Sequence, residues 1–151
     1  MRDFSLHLPI NSVSFGQVSV ALLREFHARG LQPCLFPISD QYDLSAQDDL
    51  SDDFQKWITS CLNKRHEQHS RKNPIFKLWH LNGSLESFSE KQILFSFHEL
   101  DEITPTEKNI ANNNKLIVSS SFSKEVFESN GINDVTNMPL GFDSHNFKVK
   151  E

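Results

Sequence analysis

His98 and Glu99 follow an apolar run, ILFSF, and an imidazole beside a carboxylate there can hydrogen-bond a hydroxyl group or accept a proton from it. The plainer reading of the same residues is a satisfied polar pair at the end of a strand. His66-Glu67-Gln68-His69 looks like a zinc-protease motif until its spacing is checked. Its histidines are three apart and the metalloprotease helix needs four, so the segment reads as a polar helix face and no metal is expected. Glu99 and Glu107 stand eight apart, but ten glutamates in this length give about 0.6 such pairs by chance. Asn82-Gly83-Ser84 fits a glycosylation sequon and reads better as a turn. Cys34 and Cys61 are far apart in sequence and belong to no Cys-x-x-Cys pair, so they read as small apolar fillers.

Several common chemistries have no motif here. The first loop lacks the three glycines of a dinucleotide fingerprint, which serve the tight turn, the approach to pyrophosphate and the helix packing. There is no Gly-Lys-Ser/Thr phosphate loop and no Gly-x-Ser-x-Gly nucleophile elbow.

Short β-type runs alternate with helical patterns along the chain, which predicts an α/β fold. Residues 4–10 form the first run; Val18, Leu22, Leu23 and Phe26 then share one helix face that Gly30 ends. Residues 33–38 form the second run. Residues 39–53 hold six Asp and no Lys or Arg and read as a solvated loop, with Ser51, Asp52 and Asp53 opening a helix. Residues 75–81 and 92–97 make the third and fourth runs, Thr104 and Pro105 open a helix, and residues 116–119 make the fifth run. A helix opening at Ser123 and stopping at Gly131 leads to a sixth, residues 135–140. The expected architecture is a single Rossmann-like domain, residues 1–147, with a mostly parallel sheet of about six strands flanked by helices. Residues 148–151 read as a tail or the start of a crossing.

The 151-residue length suits one domain with its own core. Hydrophobic residues at 37% and 13 phenylalanines exclude a disordered chain. Phe4, Phe26, Phe54, Trp57, Phe76, Phe95, Phe97, Phe122 and Phe127 read as core or partly buried aromatics. A net charge of −5 argues against a nucleic-acid partner. No stretch is long and apolar enough for a transmembrane segment, and the first ten residues lack a signal pattern, so the expected compartment is cytoplasmic.

The second half carries a pattern that resembles a known family. Residues 94–102 (LFSFHELDE), 115–132 (KLIVSSSFSKEVFESNGI) and 138–143 (MPLGFD), followed by Phe147, resemble the N-terminal, acceptor-side domain of GT-B glycosyltransferases of the group-1 type. In such enzymes a strand ends in an acidic residue, and a hydrophobic strand runs into Ser-x-Phe-x-(Lys/Arg). A helix then ends in Gly, and a Pro-(Leu/Asn)-Gly-(Val/Phe)-Asp turn precedes a Phe. Residues 11–26 also look like the first loop and helix of that fold, keeping only Gly16 of its small-residue loop. The resemblance spans residues 4–147; it is strong over 93–147 and weak over 40–90.

The resemblance implies one half of a GT-B fold, with a nucleotide-sugar donor as substrate and a carbohydrate or other hydroxyl acceptor. It implies transfer with retention, no cofactor, and a donor-binding domain supplied in cis or in trans, without which this chain is expected to show little or no turnover. The donor-side Glu pair of the family belongs to that other domain, so Glu99 and Glu107 are not assigned to it. Ligands of open α/β sheets bind beyond the carboxyl ends of the strands. The cleft candidates are therefore Gly16, His98, Glu99, Ser121 and Asp143, within the loops 11–17, 39–43, 80–83, 98–102, 119–122 and 141–145. Gly16, before a helix, offers bare backbone and free amides to a phosphate, or is an ordinary turn glycine. Ser121 or Ser123 caps the next helix or touches ligand, and Asp143 braces the turn after Pro139. The alternative reading is a non-catalytic α/β module that binds a carbohydrate or a partner chain through the same strand ends.

Overall fold

A computed structural model describes residues 3–141 and 143–144. Phe142, His145, Phe147 and the expected tail at 148–151 lie outside the described residues. In chain order the elements are β1 (Ser5–Ile10), α1 (Ser14–Ala28), β2 (Cys34–Tyr42), α2 (Asp52–Gln68), β3 (Ile75–Leu78), β4 (Gln92–Phe95), α3 (Pro105–Asn112), β5 (Lys115–Val118), α4 (Ser121–Ser129) and β6 (Val135–Asn137). The strands form one six-stranded parallel sheet in the order β2-β1-β3-β4-β5-β6, flanked by the four helices, a Rossmann-like α/β arrangement. Contact density divides the chain into two compact units. One holds the described residues up to Ser70 with Gly141, Asp143 and Ser144; the other is Arg71–Leu140.

In the first unit β1 pairs with β2 in register from Ser5↔Cys34 to Leu8↔Pro37, and the register then jumps to Ile10↔Tyr42. The jump is a bulge at Ser39 and Asp40, which take left-handed backbone at φ 57° and 52°. The second strand thus runs on to Tyr42, through a polar stretch that the sequence marks as loop. Its last residues are exposed, so no apolar alternation announces them. Leu6, Leu8 and Leu35 of the strands, Val20 and Leu23 of α1, and Phe54, Ile58 and Cys61 of α2 are buried. α2 begins where its acidic first turn predicts, with the Ser51 side chain accepting from the Phe54 amide at 3.1 Å.

In the second unit β3, β4, β5 and β6 pair in sequence, all parallel, with Phe76↔Ile93, Phe95↔Ile117 and Ile117↔Thr136 among the partners. A core of Leu81, Leu94, Ile110, Ala111, Leu116, Val118, Phe127, Ile132 and Val135 fills one side. α3 carries a capping box: Thr104 Oγ1 accepts from the Glu107 amide, and the Glu107 carboxylate accepts from the Thr104 amide. Gly131, at φ 83°, ends α4 as expected. The third and fourth strands stop short of the predicted runs, at Leu78 and Phe95, although Leu81 and Ser96 beyond them are buried.

Within β3 lies a residue that its sequence context does not mark. Lys77 is buried, and its ammonium donates to the carbonyls of Glu86 (3.2 Å) and Gly83 (3.4 Å). The Gln92 amide meanwhile donates to the Ser84 carbonyl and to Asn114 Oδ1, both at 2.9 Å. These bonds tie the long β3–β4 connection down. Burial pushes the Lys77 amine below its usual range, with Glu86 partly opposing.

Candidate functional site

The carboxyl ends of β4 and β5 meet the first turn of α4, and His98 stands at that junction. After β4 the chain stays in register with β5 for one more residue, the Ser96 amide donating to the Ile117 carbonyl at 3.0 Å. His98 follows, half-buried, its ring tilted against Phe127 with centroids 5.0 Å apart. Nε2 lies 3.0 Å from the Glu102 carbonyl. A carbonyl oxygen only accepts, so Nε2 carries a proton, and the neutral tautomer that fits this contact has its lone pair on Nδ1. In that form His98 offers a hydrogen-bond acceptor at Nδ1.

A serine chain fixes the backbone beneath that ring. Ser120, with extended backbone at φ −141°, is the N-cap of α4; its Oγ accepts from the Ser123 amide at 3.1 Å and donates to Ser123 Oγ at 2.9 Å. Ser123 Oγ in turn donates to the His98 carbonyl. Both hydroxyls are thereby committed, and the turn of residues 98–102 is anchored at its start by Ser123 and closed by the ring of His98.

Of the other expected cleft residues, Glu99 is exposed beside His98, with Asp101 and Glu102 also exposed. Ser121 is exposed and already helical; neither it nor Ser123 is the cap, because only Ser120 has the extended backbone that a cap requires. Gly16 lies in the first unit, buried inside the first turn of α1 and not before it. A Cβ there would sit 2.1 Å from the Asn11 carbonyl oxygen, so close packing of α1 onto the loop after β1 accounts for the glycine. Asp143 is half-buried in that same unit. The structure therefore brings His98 and Glu99 together with the start of α4, while Gly16 and Asp143 belong to the other compact unit.

Sequence reasoning named Ser121 or Ser123 as the cap and missed that Ser120 holds that place, that Ser123 bonds the His98 carbonyl and that the Glu102 carbonyl faces the His98 ring. The Ser-x-x-Ser spacing ahead of an amphipathic stretch is the signal that points to the cap. Ser96 was missed too: its Oγ is buried at the end of β4 and has no hydrogen-bond partner. One aromatic expectation fails, for Phe122 is 50% exposed. Ser123, Val126 and Phe127 are the buried residues of α4, and Phe122 stands exposed in its first turn.

The other motifs resolve into structural roles. His69 sits at the C-cap of α2 with Nδ1 2.9 Å from Ser5 Oγ and its ring edge-on to Phe36, while His66 is exposed. Glu107 is occupied by its capping box and by Asn82, whose amide donates to it at 3.4 Å. Gly83 takes φ 81° in the sequon turn, and Ser84 is fully buried. Along α2 runs an open groove of about 460 Å³ lined by polar side chains including Gln32, Lys56, Ser60 and Lys64. Among the described residues no helix is long and apolar enough to cross a membrane. No protein-family model, curated protein or solved structure matches this chain.

Proposed function

We propose that this chain is the acceptor-binding half of a retaining glycosyltransferase of the GT-B type, acting in the cytoplasm on a nucleotide-sugar donor with a donor-binding domain in cis or in trans. The observation that carries the reading is His98, held at the carboxyl end of a parallel strand with its Nδ1 lone pair uncommitted. The sequence pattern over residues 93–147 supports it, as does the parallel α/β sheet.

In this reading an acceptor hydroxyl donates its hydrogen bond to His98 Nδ1, which orients the oxygen and raises its electron density as the sugar arrives. Glu99 accepts a second hydroxyl of the same ligand. Negative charge that develops on the departing nucleotide is met by the donor-binding domain, because the exposed groups beside His98 are the carboxylates of Glu99, Asp101 and Glu102.

The test is a titration of the isotope-labelled chain with methyl glycosides of glucose, galactose, mannose and N-acetylglucosamine, with and without nucleotide sugars, followed by NMR. Expected are shifts of the His98 ring and of amides 98–102 and 120–123. His98→Ala should weaken binding about tenfold, the loss of one hydrogen bond to an otherwise intact site. Shifts confined to other surfaces, or none, overturn the proposal. Glycoside binding that ignores nucleotide sugar even when a donor-binding domain is supplied favours a non-catalytic carbohydrate-binding module.

A further inference from the structure

The segments that follow the strand ends near His98 expose large apolar side chains among polar ones. In the second unit Leu100, Phe122, Met138 and Leu140 are 65%, 50%, 49% and 49% exposed, and all four lie just beyond the carboxyl ends of β4, β5 and β6. Those strands are consecutive neighbours about 4.8 Å apart. Register ties the exits together: the Ser96 amide bonds the Ile117 carbonyl and the Met138 amide bonds the Val118 carbonyl. Leu100 sits within the turn that the His98 ring closes onto the Glu102 carbonyl, and Phe122 immediately precedes the Ser123 whose hydroxyl holds the His98 carbonyl. Single exposed apolar residues need no explanation, but four of them just past the ends of three neighbouring strands, one of which leads to His98, do.

Charge narrows what fits there. Glu99, Asp101 and Glu102 are exposed on the same turn, while the nearest cation on α4, Lys124, is paired with Glu128 at 3.5 Å. The edge therefore offers apolar surface and an acceptor nitrogen inside a negative field, which disfavours phosphate-bearing and other anionic ligands.

We infer that the acceptor taken at this edge is an uncharged or cationic hydroxyl compound with an apolar body, such as an aryl or alkyl glycoside, whose hydroxyl reaches His98 while its apolar part lies on Leu100 and Phe122. The inference rests on the acceptor reading above and adds the class of acceptor. Phe122 supplies a rigid ring face at small entropic cost, and Leu100 widens the apolar contact.

Calorimetric titration of the whole chain with methyl, phenyl and octyl glycosides of the same four sugars, with octyl phosphate as the anionic probe, tests it. Phenyl and octyl glycosides should bind about tenfold more tightly than methyl glycosides, from the apolar area they cover. The gain should vanish in Leu100→Ser/Phe122→Ser, two exposed positions whose change leaves the fold intact, and octyl phosphate should not bind at this edge. Methyl glycosides that bind through His98 with no gain from the apolar group overturn the inference and leave the acceptor reading standing. Glycosides whose binding is indifferent to His98→Ala overturn both. Concentration-dependent self-association that the double variant abolishes also overturns the inference, because the edge is then an interface between copies of the chain.

Discussion

Cys61 shows how burial decides chemistry at a single residue. It is fully buried in α2, and that burial pushes its thiol up to about 12, with nearby Lys64 only partly opposing. Cys34, buried in β2, is raised by the same cause, eased by Lys64 and by its hydrogen bond with Ser5. A thiol attacks as its thiolate, so neither residue is a nucleophile near neutral pH. In native protein at pH 8 both should react with a disulfide reagent at least about a hundredfold more slowly than in urea. Rapid release of one equivalent in a stopped-flow assay would sink this account. The filler reading of the two cysteines was open to sequence inspection because it needs only composition and spacing. Lys77 was not, since a lysine in a short apolar run reads as the solvent side of a strand until the loop carbonyls that solvate it are known.

The first turn of α1 carries a sharper test at the scale of an element. Glycine inside a helix costs about 1 kcal/mol relative to alanine, so Gly16→Ala would stabilise the protein if propensity alone acted. Here the new Cβ would meet the Asn11 carbonyl oxygen at 2.1 Å, and that segment has little room to move, because Asn11 Oδ1 also accepts from the Val13 amide at 3.1 Å. The expected result is a net destabilisation of about 2 kcal/mol, as for other forced overpacking, read as a lower urea midpoint. A raised midpoint would show that the close approach does not constrain the helix. The elements most readily legible from sequence were those with local chemistry at their ends: Ser51 before α2, Thr104 with Glu107 at α3, and Gly131 after α4. Less legible was β2 beyond Ile38, whose exposed tail follows a bulge with no glycine to announce it. At the site His98 could be found from its place after an apolar run. Its tautomer and its serine support could not, because both depend on which carbonyl and which hydroxyl the folded chain brings within reach.

For the whole molecule, the buried cysteines and the buried lysine set opposite slopes of stability in alkali. A thiol whose folded value lies above its unfolded value of about 9.0 contributes stability that is complete below pH 9 and is lost as pH rises toward about 12. For Cys61 the loss amounts to about 2 kcal/mol by pH 10.5. Lys77 works the other way. Its folded value is depressed below 10.5, so the unfolded chain binds more protons in the window between the two, and stability rises with pH across that window. Tyr42, exposed but raised by partial desolvation, falls in line with the thiols and is common to every variant compared. Urea midpoints measured from pH 8 to pH 10.5 should therefore separate three proteins. Relative to the native sequence, Cys61→Ala should lose part of the alkaline decline, and Lys77→Met should decline more steeply, having given up the compensating gain. Both variants will be less stable at pH 8, the first from a small cavity and the second from carbonyls of Gly83 and Glu86 left unpaired, so the slope with pH and not the midpoint carries the argument. Parallel slopes for all three would mean that neither group changes its proton binding on folding. A shallower decline for Lys77→Met would mean that the folded protein holds the Lys77 proton more tightly than the unfolded chain does, the opposite of a desolvated amine.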